Sequence, residues 1–107
     1  MTMPRSPINP TRVRRLPAQF SWLDQRLARD HWFTQCDHAT WTLYSFLVIV
    51  SDAQGLSFYS DERLCQRLSL NQQQLQRSRH WLVHIGLIAY RAPLYQVLSL
   101  EDVDDYL

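Results

Sequence analysis

The stretch from Ser60 to Gly86 constrains this chain more than any other, because it holds the boundary signals of two helices with only a few residues between them. Ser60 can cap a helix whose first turn carries Asp61 and Glu62, where carboxylates suit the amino-terminal dipole, and whose inward face shows Leu64, Cys65 and Leu68. That helix is expected to end near Leu70. Asn71 starts the next one and forms, with Gln74, a pair of the capping-box type, while Gly86 supplies a left-handed stop. The second helix therefore spans about Gln72 to Ile85, and the turn between Leu68 and Gln72 is short.

Around this pair the hydrophobic spacing places further elements. Asp37 can cap a helix in which Trp41, Leu43, Tyr44, Leu47 and Val48 recur at three- and four-residue intervals, with Gly55 as a stop signal just beyond Ser51 and Asp52. Leu56 to Tyr59 is short, apolar and bounded by Gly55 and Ser60, which suits a brief strand. After Gly86, the runs Leu87 to Tyr90 and Tyr95 to Leu100 read as a hairpin whose tip is Arg91, Ala92, Pro93 and Leu94. Upstream, Phe20, Leu23 and Leu27 predict a short helix within Phe20 to Phe33, with Ser21 as its N-cap and Asp24 in its first turn, a strand at its start being the alternative. Four of the five prolines fall in residues 1–17 among polar and basic neighbours, so that segment is expected to be a flexible basic arm. The resulting fold class is α+β, mainly α. It divides into the arm, a domain over 18–100 with its core in 38–100, and an acidic tail over 101–107.

Composition narrows the setting. With 46% apolar and 12% aromatic residues, 107 residues can form one core. The two cysteines, Cys36 and Cys65, have no paired spacing, which argues against a disulfide framework and for a reducing, cytoplasmic setting. The longest apolar run, Phe46 to Val50, is far short of the roughly 20 residues a membrane span requires. The net charge is only +1, yet it hides a gradient: Arg5, Arg12, Arg14 and Arg15 stand at one end, and Glu101, Asp102, Asp104 and Asp105 at the other. All eleven basic residues are arginine. Each can make forked contacts to phosphate, guanine or carboxylate, although codon bias produces the same excess.

Helix, short strand, helix, tight turn, helix and hairpin is the order of a winged helix-turn-helix. From His38 to Leu100 the pieces YSFLVIVSDAQG, YSDERLCQRLSLNQQQLQRSRHWL and HIGLIAY resemble the winged-helix domain of plasmid and phage replication-initiation proteins and of many small bacterial regulators. The resemblance implies a short C-terminal hairpin wing, an added N-terminal helical segment, and DNA binding in transcription regulation, DNA replication or transposition of a mobile element. Its hairpin tip, with one arginine, departs from a basic wing and shifts the expected contact to the second helix of the motif.

On that helix, at 100° per residue, Leu75, Ser78, Leu82 and Ile85 gather on one side and Gln73, Gln76, Arg77, His80 and His84 on the other. Glutamine offers donor and acceptor together to adenine and arginine pairs with guanine, so this face suits base readout in the major groove of double-stranded DNA. An ordinary solvated helix is also rich in glutamine. Arg63 and Arg67 are placed to hold phosphates, and Arg12, Arg14 and Arg15 to reach phosphate or the minor groove from the arm. The rival class is a protein-interaction module of the same fold, with Trp22 and Trp32 as contacts of a homodimer.

Other chemistry finds little support. His31, Cys36, His38 and Cys65 lack the ligand spacing of a zinc finger, so no metal or other cofactor is expected. Trp41, Tyr44 and Trp81 read as packing residues. With only Gly55 and Gly86 there is no phosphate-binding glycine loop, and no nucleophile, histidine and carboxylate stand at informative spacing, so neither an enzyme nor a small-molecule substrate is expected.

Overall fold

The computed structural model describes residues 6, 8–12, 14, 23–29 and 32–100. Its central helix, α2 (His38–Val50), begins where Asp37 accepts the backbone N–H of Thr40, which satisfies one of the amides left open at a helix start. Leu43 and Leu47 are fully buried, and Tyr44 and Val48 nearly so. After α2 the Asp52 carboxylate accepts the N–H groups of Gln54 and Leu56 and closes the loop that leads into strand β1 (Leu56–Phe58). Gly55 is required there: its φ is +83°, and a Cβ would lie 2.6 Å from the carbonyl oxygen of Val97.

Helix α3 (Asp61–Leu68) starts at the Ser60 cap, and helix α4 (Gln72–His84) starts at Asn71 with both halves of the capping box formed. Ser69 between them adopts a left-handed backbone, and the N–H of Leu70 donates to the carbonyl of Cys65. At the far end of α4, Gly86 takes φ +82° while its N–H and that of Leu87 donate to Val83 and Leu82, a Schellman closure. The chain then forms strands β2 (Ile88–Arg91) and β3 (Leu94–Val97), joined through Ala92 and a cis Pro93. The antiparallel sheet has the order β1-β3-β2, with Ser57 opposite Tyr95 and Tyr90 opposite the same residue on the other side.

The molecule is thus α+β and mainly helical, with a three-stranded antiparallel sheet. Its core joins Leu27, Leu43, Leu47, Leu64, Leu75, Leu82, Leu87, Ile88 and Tyr95. Where α2 crosses α4 the buried side chains Thr40 and Ser78 meet with their hydroxyl oxygens 3.4 Å apart, and their small size permits the close approach. No helix among the described residues is long and apolar enough to cross a membrane.

The N-terminal segment departs from expectation. Instead of a helix through Leu23, the structure has one α-helical turn, α1 (Arg26–Arg29), and a separate 3-10 turn at Trp32–Gln35. Asp24 explains the difference. Its carboxylate accepts the Arg26 backbone N–H and receives the Arg26 guanidinium at 2.8 Å, so it marks the start of the turn and leaves Leu23 outside it, 51% exposed. Leu27, inside the turn, is buried as expected. Phe20 and Ser21 lie outside the described residues, as does the tail 101–107.

Candidate nucleic-acid interface

The outward face of α4 follows from its inward one. Leu75, Ser78 and Leu82 are completely buried, which fixes the rotation of the helix about its axis and turns Gln73, Gln76, Arg77, His80 and His84 to solvent. All five are exposed. On α3, burial of Leu64 has the same effect and exposes Arg63 and Arg67 together with Gln66.

From Arg63 to Leu100 the chain has no aspartate or glutamate, and it carries Arg63, Arg67, Arg77, Arg79 and Arg91. The acids of the described residues lie before this stretch, at Asp24, Asp37, Asp52, Asp61 and Glu62. One of them reaches the α4 face: the Asp37 carboxylate stands 3.8 Å from the Arg77 guanidinium. Both side chains are more than half exposed, so the pair is weak and Arg77 can leave it for a stronger anion. Hydrogen bonds from the Thr40 hydroxyl and backbone N–H hold the Asp37 carboxyl below the usual carboxylate range, with Arg77 assisting.

Arg79, which the helical wheel did not single out, is not part of the exposed face. It donates to Asp61 at 2.7 Å and to the Tyr95 hydroxyl at 2.8 Å, and its guanidinium carbon lies 4.3 Å from the centre of the Tyr90 ring. Burial alone would lower its pKa, but the hydrogen bonds to Asp61 and Tyr95 prevail and push it up, so it is a permanent cation. Burial pushes the Tyr95 phenol up to about 12 against the opposing effect of Arg79, so Tyr95 stays neutral and its oxygen accepts the guanidinium hydrogen bond. This cluster ties α3, α4 and both hairpin strands together. The sequence did carry a signal for it: Arg79 stands four residues after Leu75 and three before Leu82, on the inward side, where a charge needs a partner.

The arm residues are less well joined to this face. Arg12 and Arg14 are exposed, and no hydrogen bond or ion pair links them to α3 or α4 among the described residues. Arg15 and Trp22 lie outside the described residues. Trp32 is half-buried and packs against the core of its own chain. At the hairpin tip Arg91 is exposed, as are Ala92 and Pro93. No family model, curated protein or solved structure matches the chain.

Proposed function

We propose that the chain is a winged-helix DNA-binding protein, with α3 and α4 as its helix-turn-helix and the β2–β3 hairpin as a short wing. The observation that carries this reading is the acid-free run from Arg63 to Leu100, whose most exposed helical face presents Gln73, Gln76, Arg77, His80 and His84. The order α2, β1, α3, α4, β2, β3 and the sheet order β1-β3-β2 support the same fold. In this reading α4 enters the major groove, where the glutamines address adenine and Arg77 addresses guanine, with His80 and His84 beside them. Arg63 and Arg67 hold phosphates, and the arm arginines Arg12, Arg14 and Arg15 add phosphate or minor-groove contacts. A role as a regulator or as a replication or transposition factor fits such a module.

Fluorescence anisotropy with a labelled random-sequence duplex tests the reading. Non-specific binding at low salt is expected with a Kd of about 1–100 µM, weakened about fivefold or more by Arg77→Ala. Failure to bind duplex at low salt rejects it. One observation favours a second reading, a protein-interaction module or homodimer: His38, Trp41, Phe46, Ile49 and Leu68 line a shallow, mostly apolar groove on α2, and Ile49 is 64% exposed. Light scattering that returns a concentration-dependent dimer mass, together with absent duplex binding, would move the assignment there.

A further inference from the structure

A cleft of about 470 Å³ lies away from α4, between the α1 turn, the C-terminal end of α2, the Asp52 loop and the residues that follow β3. Its volume falls within the range of small-molecule sites, roughly 300–1,000 Å³. Three features of its lining matter together.

The first is Tyr44. The residue is only 4% exposed, yet its hydroxyl has no hydrogen-bond partner among the described residues. The residue lines the cleft. Buried tyrosines usually find a partner for this group, as Tyr95 does with Arg79. Burial, and secondarily the Asp24 carboxylate, push the Tyr44 phenol up and keep it a neutral donor. The second feature is Asp52: one carboxylate oxygen accepts the Gln54 and Leu56 N–H groups, and the other has no partner. The third is the only cation among the described residues of the lining, Arg26, whose guanidinium makes three hydrogen bonds to Asp24, at 2.8 to 3.2 Å. Asp24 matches its charge, so among the described residues the lining is left with the charge of Asp52. Val48, Val97 and Leu100 supply apolar walls.

We propose that this cleft binds a small organic amine, its ammonium group on the open oxygen of Asp52, its hydrocarbon body against Val48, Val97 and Leu100, and a polar or π-bearing end on the Tyr44 hydroxyl. An anion is disfavoured, because it meets the Asp52 carboxylate and a guanidinium already paired with Asp24. The site lies outside the α4 face, so the proposal does not depend on DNA binding.

The test uses the full chain labelled with ¹⁵N and two probes that share one ring system, tryptamine with its ammonium group and indole-3-acetate with a carboxylate. Tryptamine is expected to give saturable shifts at amides of residues 48–55 and 97–100, and indole-3-acetate to bind at least about tenfold more weakly. Tyr44→Phe keeps the buried ring, and Asp52→Asn keeps the oxygen that closes the loop, so both variants retain the fold. Each is expected to raise the tryptamine Kd about three- to tenfold, the effect of one hydrogen bond or ion pair. The proposal is overturned if tryptamine produces no saturable shift up to about 10 mM, if both probes act alike, or if both variants bind as the parent does.

Discussion

Ser69 holds a left-handed backbone, φ 55°, at the one position where α3 must turn into α4 within three residues. A side chain in that conformation costs about 1 kcal/mol that glycine does not incur. Glycine's greater freedom in the unfolded chain offsets half or more of that, so Ser69→Gly is expected to raise unfolding stability by at most about 0.5 kcal/mol, read from the urea midpoint at unchanged slope. Arg79 acts in the opposite sense. Its side chain is 13% exposed, and removing it leaves Asp61 and the Tyr95 hydroxyl without their shared partner. Asp61 is 33% exposed and can partly rehydrate, so Arg79→Ala is expected to cost about 2 kcal/mol, less than breaking a fully buried pair. Arg79→Lys recovers only part of this, because an ammonium cannot fork to Asp61 while lying over the Tyr90 ring. Thermal or urea unfolding of the two variants checks both statements.

Among the elements, the helices begin where a short polar side chain can accept an amide: Asp37 before α2, Ser60 before α3 and Asn71 before α4. Asp37 has two tasks, because the carboxylate that caps α2 also faces Arg77 on α4. Asp37→Asn preserves the cap and removes the competing charge. Duplex affinity is expected to rise about two- to fivefold in the anisotropy assay, and an unchanged or lower affinity would argue that Arg77 does not touch DNA. The same residue sets a pH dependence. Its folded pKa is depressed, so its ionised form contributes stability that is fully present above the ordinary carboxylate value of 3.8 and is lost as pH falls through the lower folded value. Parent and Asp37→Asn should accordingly differ in urea midpoint near neutral pH and converge in strong acid.

At the level of the whole molecule, a net charge of +1 conceals a partition along the chain, acids before Arg63 and none from there to Leu100. Folding gathers the arginines of that stretch, because α3, α4 and the hairpin pack as neighbours and turn Arg63, Arg67, Arg77 and Arg91 outward, with Glu62 an exposed acid at the start of α3. If about four phosphates are neutralised, raising salt from about 50 to 200 mM should weaken duplex binding about 100-fold. A flat salt response in the anisotropy titration would count against phosphate contacts by these arginines.

The residues alone determined what depends on local chemistry. Caps at Asp37, Ser60 and Asn71, the stop at Gly86 and the inward set Leu75, Ser78 and Leu82 were legible because capping geometry and helical periodicity act over a few neighbouring positions. The exposure of Gln73, Gln76, Arg77, His80 and His84 followed from the same periodicity. What required tertiary structure was every pairing across long sequence separation. The start of α1 was missed for a local reason instead: Asp24 binds Arg26 two residues on and draws the start past Leu23, a competition between a cap and a helical apolar pattern that spacing does not decide. The partners of Arg79 come from α3 and β3, 18 and 16 residues away, and the cleft at Tyr44 is bounded by segments that meet only after the sheet has formed. Local signals thus set where the helices of the Ser60 to Gly86 stretch begin and end, whereas the packing of that stretch on the sheet decided which of its charges are spent inside the molecule and which face outward.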